Sequence, residues 1–318
     1  MSDAAIPIEL PLPDIAPLRH GNTGVDWVHE LDSGRPGPTV LVQALTHGNE
    51  ICGALALVHL FGQRPPVLRG RLILAFANVE AFSRFDPAAP HQSRYVDEDY
   101  NRVWGDDVLF GPRDSIELRR ARLLQPFVDR ADFVLDIHSM HEACRPIMVC
   151  GQVDKNAAFA RLLGVPETLL LDTGHPAGLR MIERGGFGDP DDPRLAVLVE
   201  CGQHWERAAE QVAIDTLMRF LAETGVVDAG WALSRCPLTK PSRQRTVRVT
   251  EAVVAKSADF HFLVPPVGLG VVERAGTPIA MDGDEVWTAP YDHTVLVRPS
   301  LTHLRPGNTQ VRLGRFVD

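Results

Sequence analysis

No uninterrupted apolar run in this chain approaches the ~20 residues that a helix needs to cross a bilayer, so a helical membrane protein is excluded. Nor is there an excess of basic charge: 32 lysines and arginines stand against 41 acidic residues, a formal net charge of −9. A nucleic-acid-binding surface needs clustered cations to displace counterions, and that class is set aside. A small anionic ligand is not, because a few arginines focused in one cleft override the overall sign locally. Cysteines number only five, and no two are spaced as in a zinc finger or a redox motif. They are expected to be reduced thiols in a cytoplasmic protein. The amino-terminal MSDAAIPIELPLPD has neither a basic leader nor an apolar core, so no signal peptide is expected. Internal repeats and low-complexity tracts are missing too, and oligomeric state is left open, a homo-oligomer included.

What is present is an ordinary globular composition: 318 residues, 45% hydrophobic and 23% charged. A chain of this size buries a sizeable core unaided, so a bound metal would serve chemistry rather than hold the fold together. Val25 to Leu31 alternates like a strand, and DSGRPGP from Asp32 to Pro38 is turn chemistry. Short apolar, β-branched runs at Thr39–Leu45, Arg71–Ala77, Phe133–Ile137 and Leu195–Val199 predict buried strands, with a further strand near Pro146–Cys150. Helical patterns fall at Glu50–Phe61, at Asp114–Arg130, from about Lys155, and at Ala208–Glu223. Strands alternating with helices predict an α/β fold, a mixed, mostly parallel sheet flanked by helices. Asn78 to Arg113 is a long polar stretch with no clear period, the kind of loop that carries function.

Beyond about Gly230 the texture changes to short strand-like pieces at Val247–Val254, Phe262–Val264, Gly270–Val272, Glu285–Thr288 and Val295–Arg298. We therefore expect two domains, residues 1–229 and an all-β domain at 230–318. The segment from Gly270 to Val297 resembles the barrel-sandwich fold of lipoyl and biotinyl carriers. The turn from Met281 to Gly283 lacks the lysine that carriers modify, which points to a structural or gating role and not to a carrier.

Chemistry concentrates at the predicted strand ends, where ligands collect in open parallel sheets. His47 follows one buried strand, and Glu50 is expected in the first turn of the next helix, with Gly48 allowing a sharp backbone turn between them. His138, in Asp136-Ile137-His138, is expected one residue past the last buried position of a second strand. Two imidazoles and a carboxylate suit zinc and leave a fourth position open, as in catalytic sites. His141 and Glu142 could compete as ligands, although a loop position makes pocket lining or solvent contact the better reading. His29 and Asp32 have similar spacing but read as strand and turn residues. Glu200 terminates a third apolar strand, where a desolvated carboxylate suits proton transfer; its alternative is a strand-end salt bridge. Cys201 beside it has no activating base. Inside the polar stretch, Arg94-Tyr95 and Asp99-Tyr100-Asn101-Arg102 offer the fixed, bidentate donors that a carboxylate needs.

Together, HGNE at 47–50, RY at 94–95, DYNR at 99–102, DIH at 136–138 and ECG at 200–202 resemble the succinylglutamate desuccinylase/aspartoacylase family of zinc carboxypeptidase-like hydrolases. The likeness spans about residues 35–225. It implies one Zn2+ per chain on His47, Glu50 and His138, with Glu200 as the proton-transferring group. It implies further that Arg94 polarises the scissile carbonyl and that Asn101 and Arg102 grip a substrate carboxylate. Another substrate-binding arginine is expected among Arg180, Arg184 and Arg194, and Tyr291 is the terminal region's one candidate for a contributing tyrosine. The implied reaction is amide hydrolysis of a small anionic N-acyl amino acid. The alternative is a metallocarboxypeptidase acting on peptides, and a β domain roofing the cleft would favour the small substrate.

Overall fold

The computed structural model describes residues 6–301 and 306–317. Strands β1 (Val28–Asp32) and β2 (Thr39–Ala44) precede helix α1 (Ile51–Gln63) and strand β3 (Arg71–Phe76). The polar stretch that follows holds only short helical pieces, among them α2 (Val79–Phe82) and α3 (Asp106–Leu109). Next come α4 (Ile116–Asp129), β4 (Phe133–Met140), β5 (Ile147–Val149), α5 (Asp154–Leu163) and β6 (Thr168–Leu171). β7 (Leu195–Gln203), α6 (Arg207–Thr224) and the short α7 (Ala229–Leu233) complete the alternating part. The rest is strand: β8 (Arg245–Val254), β9 (His261–Phe262), β10 (Gly270–Val272), β11 (Pro278–Asp282), β12 (Glu285–Thr288), β13 (Thr294–Val297) and β14 (Thr309–Phe316).

Eleven of these strands form one sheet in the order β1-β3-β2-β4-β7-β5-β6-β8-β14-β13-β10, and β12-β11-β9 form a second. β3, β2, β4 and β7 run parallel, whereas β1 and β5 flank them antiparallel. The sheet is mixed, as expected, and it continues through the parallel β6–β8 pair into the antiparallel carboxyl-terminal strands. The β region is thus hydrogen-bonded to the alternating part, while Phe260, Ile279, Ala280, Leu296 and Leu313 give it a core of its own.

Strand alternation explains the layering. Val40, Val42, Ala44, Leu135, Ile137, Val197 and Val199 point into one core with Leu57 and Leu60 of α1, Phe159 of α5 and Leu217 and Phe220 of α6. Their neighbours Leu41, Ile73, Val134, Ala196 and Leu198 point to the other side, onto Leu118, Leu124 and Phe127 of α4. With a period of two, His138 and Glu200 fall on the α4 side. Truncating a side chain as buried as Leu217 typically costs ~2–5 kcal/mol.

Several boundaries differ from the sequence reading. β4 continues through His138 to Met140, all buried, because β7 also runs on and pairs His138 with Glu200. Glu50 is the N-cap of α1, one residue before its first turn. Gly62 lies inside α1, which ends with Arg64 in the left-handed region. β6 was not foreseen: Thr168–Leu171 is only four residues, too short to show a period. β11 and β14 escaped as well; β14, TQVRLGRF, is broken up by arginines and a glycine.

Candidate functional site

The carboxyl ends of β2, β4 and β7 converge on one cluster. Beyond β2, the chain turns at Leu45, whose φ of 58° is left-handed. Gly48 is needed for a different reason from the sharp turn expected of it. A Cβ there would lie 2.4 Å from the Phe82 nitrogen and 2.4 Å from the Ser93 carbonyl oxygen. The Gly48 N–H donates to the Arg94 carbonyl at 3.0 Å, so the HGNE turn is sewn to the polar stretch. That stretch is anchored in turn by the buried Glu117 of α4. Its carboxylate accepts the N–H groups of Val96, Asp97 and Glu98, and Asn78 Nδ2.

His47, Glu50 and His138 are buried, and one ligand atom from each lies within 4.8 Å of the others. Glu50 Oε1 is 2.7 Å from His47 Nδ1, and Glu50 Oε2 is 2.9 Å from His138 Nδ1. The outer ring nitrogens face carboxylates, His47 Nε2 with Asp99 at 3.0 Å and His138 Nε2 with Asp136 at 2.8 Å. Thr46 Oγ1 donates to Asp136 at 2.7 Å and fixes it in turn. Outer carboxylates of this kind set the tautomer and orientation of metal-ligating imidazoles. Asp99 and Asp136 are partners of the cluster imidazoles that the sequence contained inside its motifs without assigning them a task. In Asp136-Ile137-His138 the signal was the i, i+2 spacing, which puts both side chains on one face of the strand.

The electrostatics suit a cation. Burial alone would raise the Glu50 carboxyl, but the two imidazoles hold it well below the usual carboxylate range. Burial would neutralise His138, yet Asp136 and Glu50 keep it well above the ordinary imidazole value. Asp99 is half-buried, and His47 and Arg94 hold it well below the usual carboxylate range. Two imidazoles ringed by three carboxylates call for positive charge at their centre, and a mixed nitrogen and oxygen donor set with a second shell fits zinc.

Glu200 sits directly across from His138 in register on the neighbouring strand, on the same face. Its Oε1 meets Arg298 Nη1 at 2.7 Å, while its Oε2 is buried with no hydrogen-bond partner. Gly202 follows with φ 117°, a conformation open to glycine, where β7 bulges against β4. Arg94 lies 3.1 Å from Asp99, 3.4 Å from Glu50 and 2.8 Å from His47 Nε2. Burial works against its charge, but Asp99 and Glu50 raise it overall. Arg102 is less well matched: its nearest carboxylate oxygen, on Asp99, is 4.0 Å away, and burial pushes the guanidinium down to about 10. Asn101 uses its side-chain carbonyl to accept the Met181 N–H at 3.1 Å.

The other candidates separate cleanly. Arg184 and Arg194 belong to the opposite, amino-terminal edge of the sheet, where they bind Asp129 and Asp192. Arg180 lies on the segment against Asn101, but Asp172 and Glu183 pair with it at 2.5 and 2.7 Å. Tyr291 hydrogen-bonds Thr250 at 2.8 Å and faces Arg315, away from the cluster residues. His141 packs against His91 in a tilted contact with ring centroids 3.9 Å apart, and Glu142 accepts the Leu301 N–H; neither joins the ligand group. His29 binds the Leu18 carbonyl. Cys201 is buried beside Cys52, and burial drives its thiol well above the ordinary value, so it is no nucleophile. All five cysteines are free. Arg298 had no motif to announce it.

A model of the succinylglutamate desuccinylase/aspartoacylase catalytic domain matches residues 36–222. Among solved structures, a succinylglutamate desuccinylase from Vibrio parahaemolyticus is similar at TM-score 0.67 and 17% identity, over 92% of this chain and 87% of that one. A succinylglutamate desuccinylase/aspartoacylase from Rhodobacter sphaeroides is similar at TM-score 0.65 and 17% identity, over 92% and 89%. The ectoine utilization protein EutE from Ruegeria pomeroyi, solved with product bound, is similar at TM-score 0.64 and 15% identity, over 93% and 92%. At these identities the likeness is one of fold. Comparison with curated proteins finds no match. Among the described residues, no helix is long and apolar enough to cross a membrane.

Proposed function

The chain belongs to the succinylglutamate desuccinylase/aspartoacylase family, and from that premise we propose that it is a zinc-dependent amidohydrolase that deacylates a small anionic N-acyl amino acid. One observation carries the reading. Glu200 is paired in register with His138, so a buried carboxylate oxygen without a partner stands beside a two-histidine, one-glutamate cluster. His47, Glu50 and His138 would hold one Zn2+, which when bound supplies a Lewis acid for the carbonyl and brings the pKa of water towards ~7.

The remaining work falls to the chain's own side chains. Glu200 takes a proton from the attacking water at Oε2 and returns it to the departing nitrogen, so no covalent enzyme intermediate forms. Arg94 faces the carbonyl oxygen as negative charge builds on it; a donor in that role typically contributes ~3 kcal/mol. Arg102, whose charge is incompletely matched within the protein, grips the substrate carboxylate with Asn101. Asp99 and Asp136 hold the imidazoles in the ligating tautomer. The strands from β8 onward serve as a roof over the cleft, since Arg298 reaches Glu200; the boundary expected at 230 falls inside α7, which belongs to the alternating part. Such a roof favours a small substrate over a peptide.

The test joins metal analysis to a hydrolysis screen of N-acetyl, N-succinyl and N-formyl amino acids. One zinc per chain and turnover of an acidic N-acyl amino acid are expected. Glu200→Ala should keep the zinc and lose about 10²–10⁴-fold in kcat. A zinc-loaded protein silent across the panel, or near-normal turnover by Glu200→Ala, overturns the reading.

A further inference from the structure

Glu200 is held from a distance. Its Oε1 lies 2.7 Å from Arg298 Nη1, across 98 residues of sequence, from the residue that follows β13. The Glu200 side chain is 4% exposed and that of Arg298 is 45% exposed, so the guanidinium reaches in from the surface. Two features set this contact apart from an ordinary strand-end salt bridge. The carboxylate spends only one oxygen on it, and the other is buried with no partner. Unpaired buried polar atoms are rare in folded proteins and ask for a reason. Arg298 itself has φ 50°, a left-handed conformation that non-glycine residues seldom adopt and that persists where the surroundings enforce it. It follows directly on β13, whose register with β14 pairs Val297 with Arg312.

We infer that Arg298 is a positioning residue for proton transfer: by occupying Oε1 it fixes the Glu200 carboxylate and leaves Oε2 as the one atom able to carry the proton. The inference rests on Glu200 being the proton-transferring group. The step balances simply. An O–H bond of water breaks as its oxygen adds to the carbonyl carbon, an O–H bond forms at Oε2, and that proton leaves with the nitrogen when the C–N bond breaks. Arg298 keeps all its protons throughout. Arg94 from the polar stretch, Arg102 beside it, Cys144 from the loop after β4, Cys201 of β7 and Arg312 of β14 are other ionisable groups near this pair. Among them, Arg298 makes the one ion pair with Glu200 within the described residues.

The experiment uses the full chain loaded with zinc and the N-acyl amino acid turned over fastest in the panel. Arg298→Ala is expected to lower kcat by about 10–100-fold with KM within about two-fold and zinc stoichiometry unchanged. Arg298→Lys should recover most of the loss, and added guanidinium ions should recover part of it in Arg298→Ala. A rise in KM at constant kcat would make Arg298 a substrate clamp and overturn the inference, as would no change in either. A melting-temperature cycle of Arg298→Met, Glu200→Gln and the double variant needs no substrate. The double variant should melt no lower than the weaker single one, and additive shifts overturn the proposal. If the panel gives no turnover, the functional reading fails, while the cycle still decides whether Arg298 holds Glu200. Should Arg298→Ala not fold, Arg298→Gln, which keeps much of the stem but removes the charge, carries both measurements.

Discussion

The two edges of the parallel strands are built from the same residue types and finished in opposite ways. At the amino-terminal edge, Asp132 accepts the Thr39 N–H at 2.8 Å and passes its carbonyl to the Leu195 N–H, tying together the starts of β2, β4 and β7. Arg184 there makes a two-pronged contact with Asp129 at 2.6 and 3.0 Å and reaches Asp106 and the Trp104 carbonyl as well. Arg194 is closed by Asp192 in the same manner. At the carboxyl edge, arginines and carboxylates are just as dense, yet the pairing is left incomplete. Glu200 Oε2 has no partner, Arg102 stands 4.0 Å from its nearest carboxylate, and two imidazoles point their inner nitrogens at one glutamate. Charge alone therefore does not distinguish the edge proposed to work; the groups left unpaired there, Glu200 Oε2 and Arg102, do.

That contrast can be broken most severely at the cluster. His138→Ala is expected to abolish stoichiometric zinc binding and all measurable turnover, since one imidazole is removed and Glu50 and Asp136 lose a shared partner. Metal content after dialysis checks it, and full zinc retention would mean that the ligands lie elsewhere. The opposite edge should answer in a different currency. Arg184→Met removes a guanidinium whose side chain is 8% exposed but whose acidic partners are partly in water, so a stability loss of about 1–3 kcal/mol is expected. Urea unfolding measures that, and kcat below the transition should match the unaltered protein. A large kcat loss at full stability would refute the division between the edges.

How much of this was legible beforehand follows from the same physics. The HGNE, DIH and ECG motifs could be read because each sits at the end of an apolar run, and a polar residue there is conspicuous. The extent of β4 could not, because whether His138 ends a strand or lies inside it depends on β7 running alongside. Gly48 was recognised as special for the wrong reason: its lack of a Cβ serves a close approach by Phe82 and Ser93, which no local pattern encodes. The family resemblance made Arg184 and Arg194 candidates for a substrate contact upstream of Glu200, but the length of β7 puts Arg194, just before its start, about 20 Å from Glu200. Arg298 was out of reach altogether, since its place depends on how β8, β14 and β13 extend the sheet from β6 and on the contact that the end of β13 then makes with Glu200.

The smallest effect, and a sharp test of the comparison, belongs to Tyr291. It is the tyrosine that sequence position alone would nominate as a contributor from the terminal region. Its hydroxyl is already engaged with Thr250 at 2.8 Å, and its ring faces Arg315, which is the finished kind of pairing seen at the amino-terminal edge. Tyr291→Phe removes one hydrogen bond at an exposed site and leaves Thr250 its contact with the Leu313 carbonyl. Stability should change by no more than about 0.5 kcal/mol, with kcat and KM unchanged within error. Steady-state kinetics on the same substrate as the Arg298 variants decides it. A selective rise in KM would mean that the β region closes further over the cleft during turnover, bringing a residue now satisfied elsewhere onto the substrate. The rule that unfinished pairing marks the working groups would then hold for one conformation of the protein and not for the other.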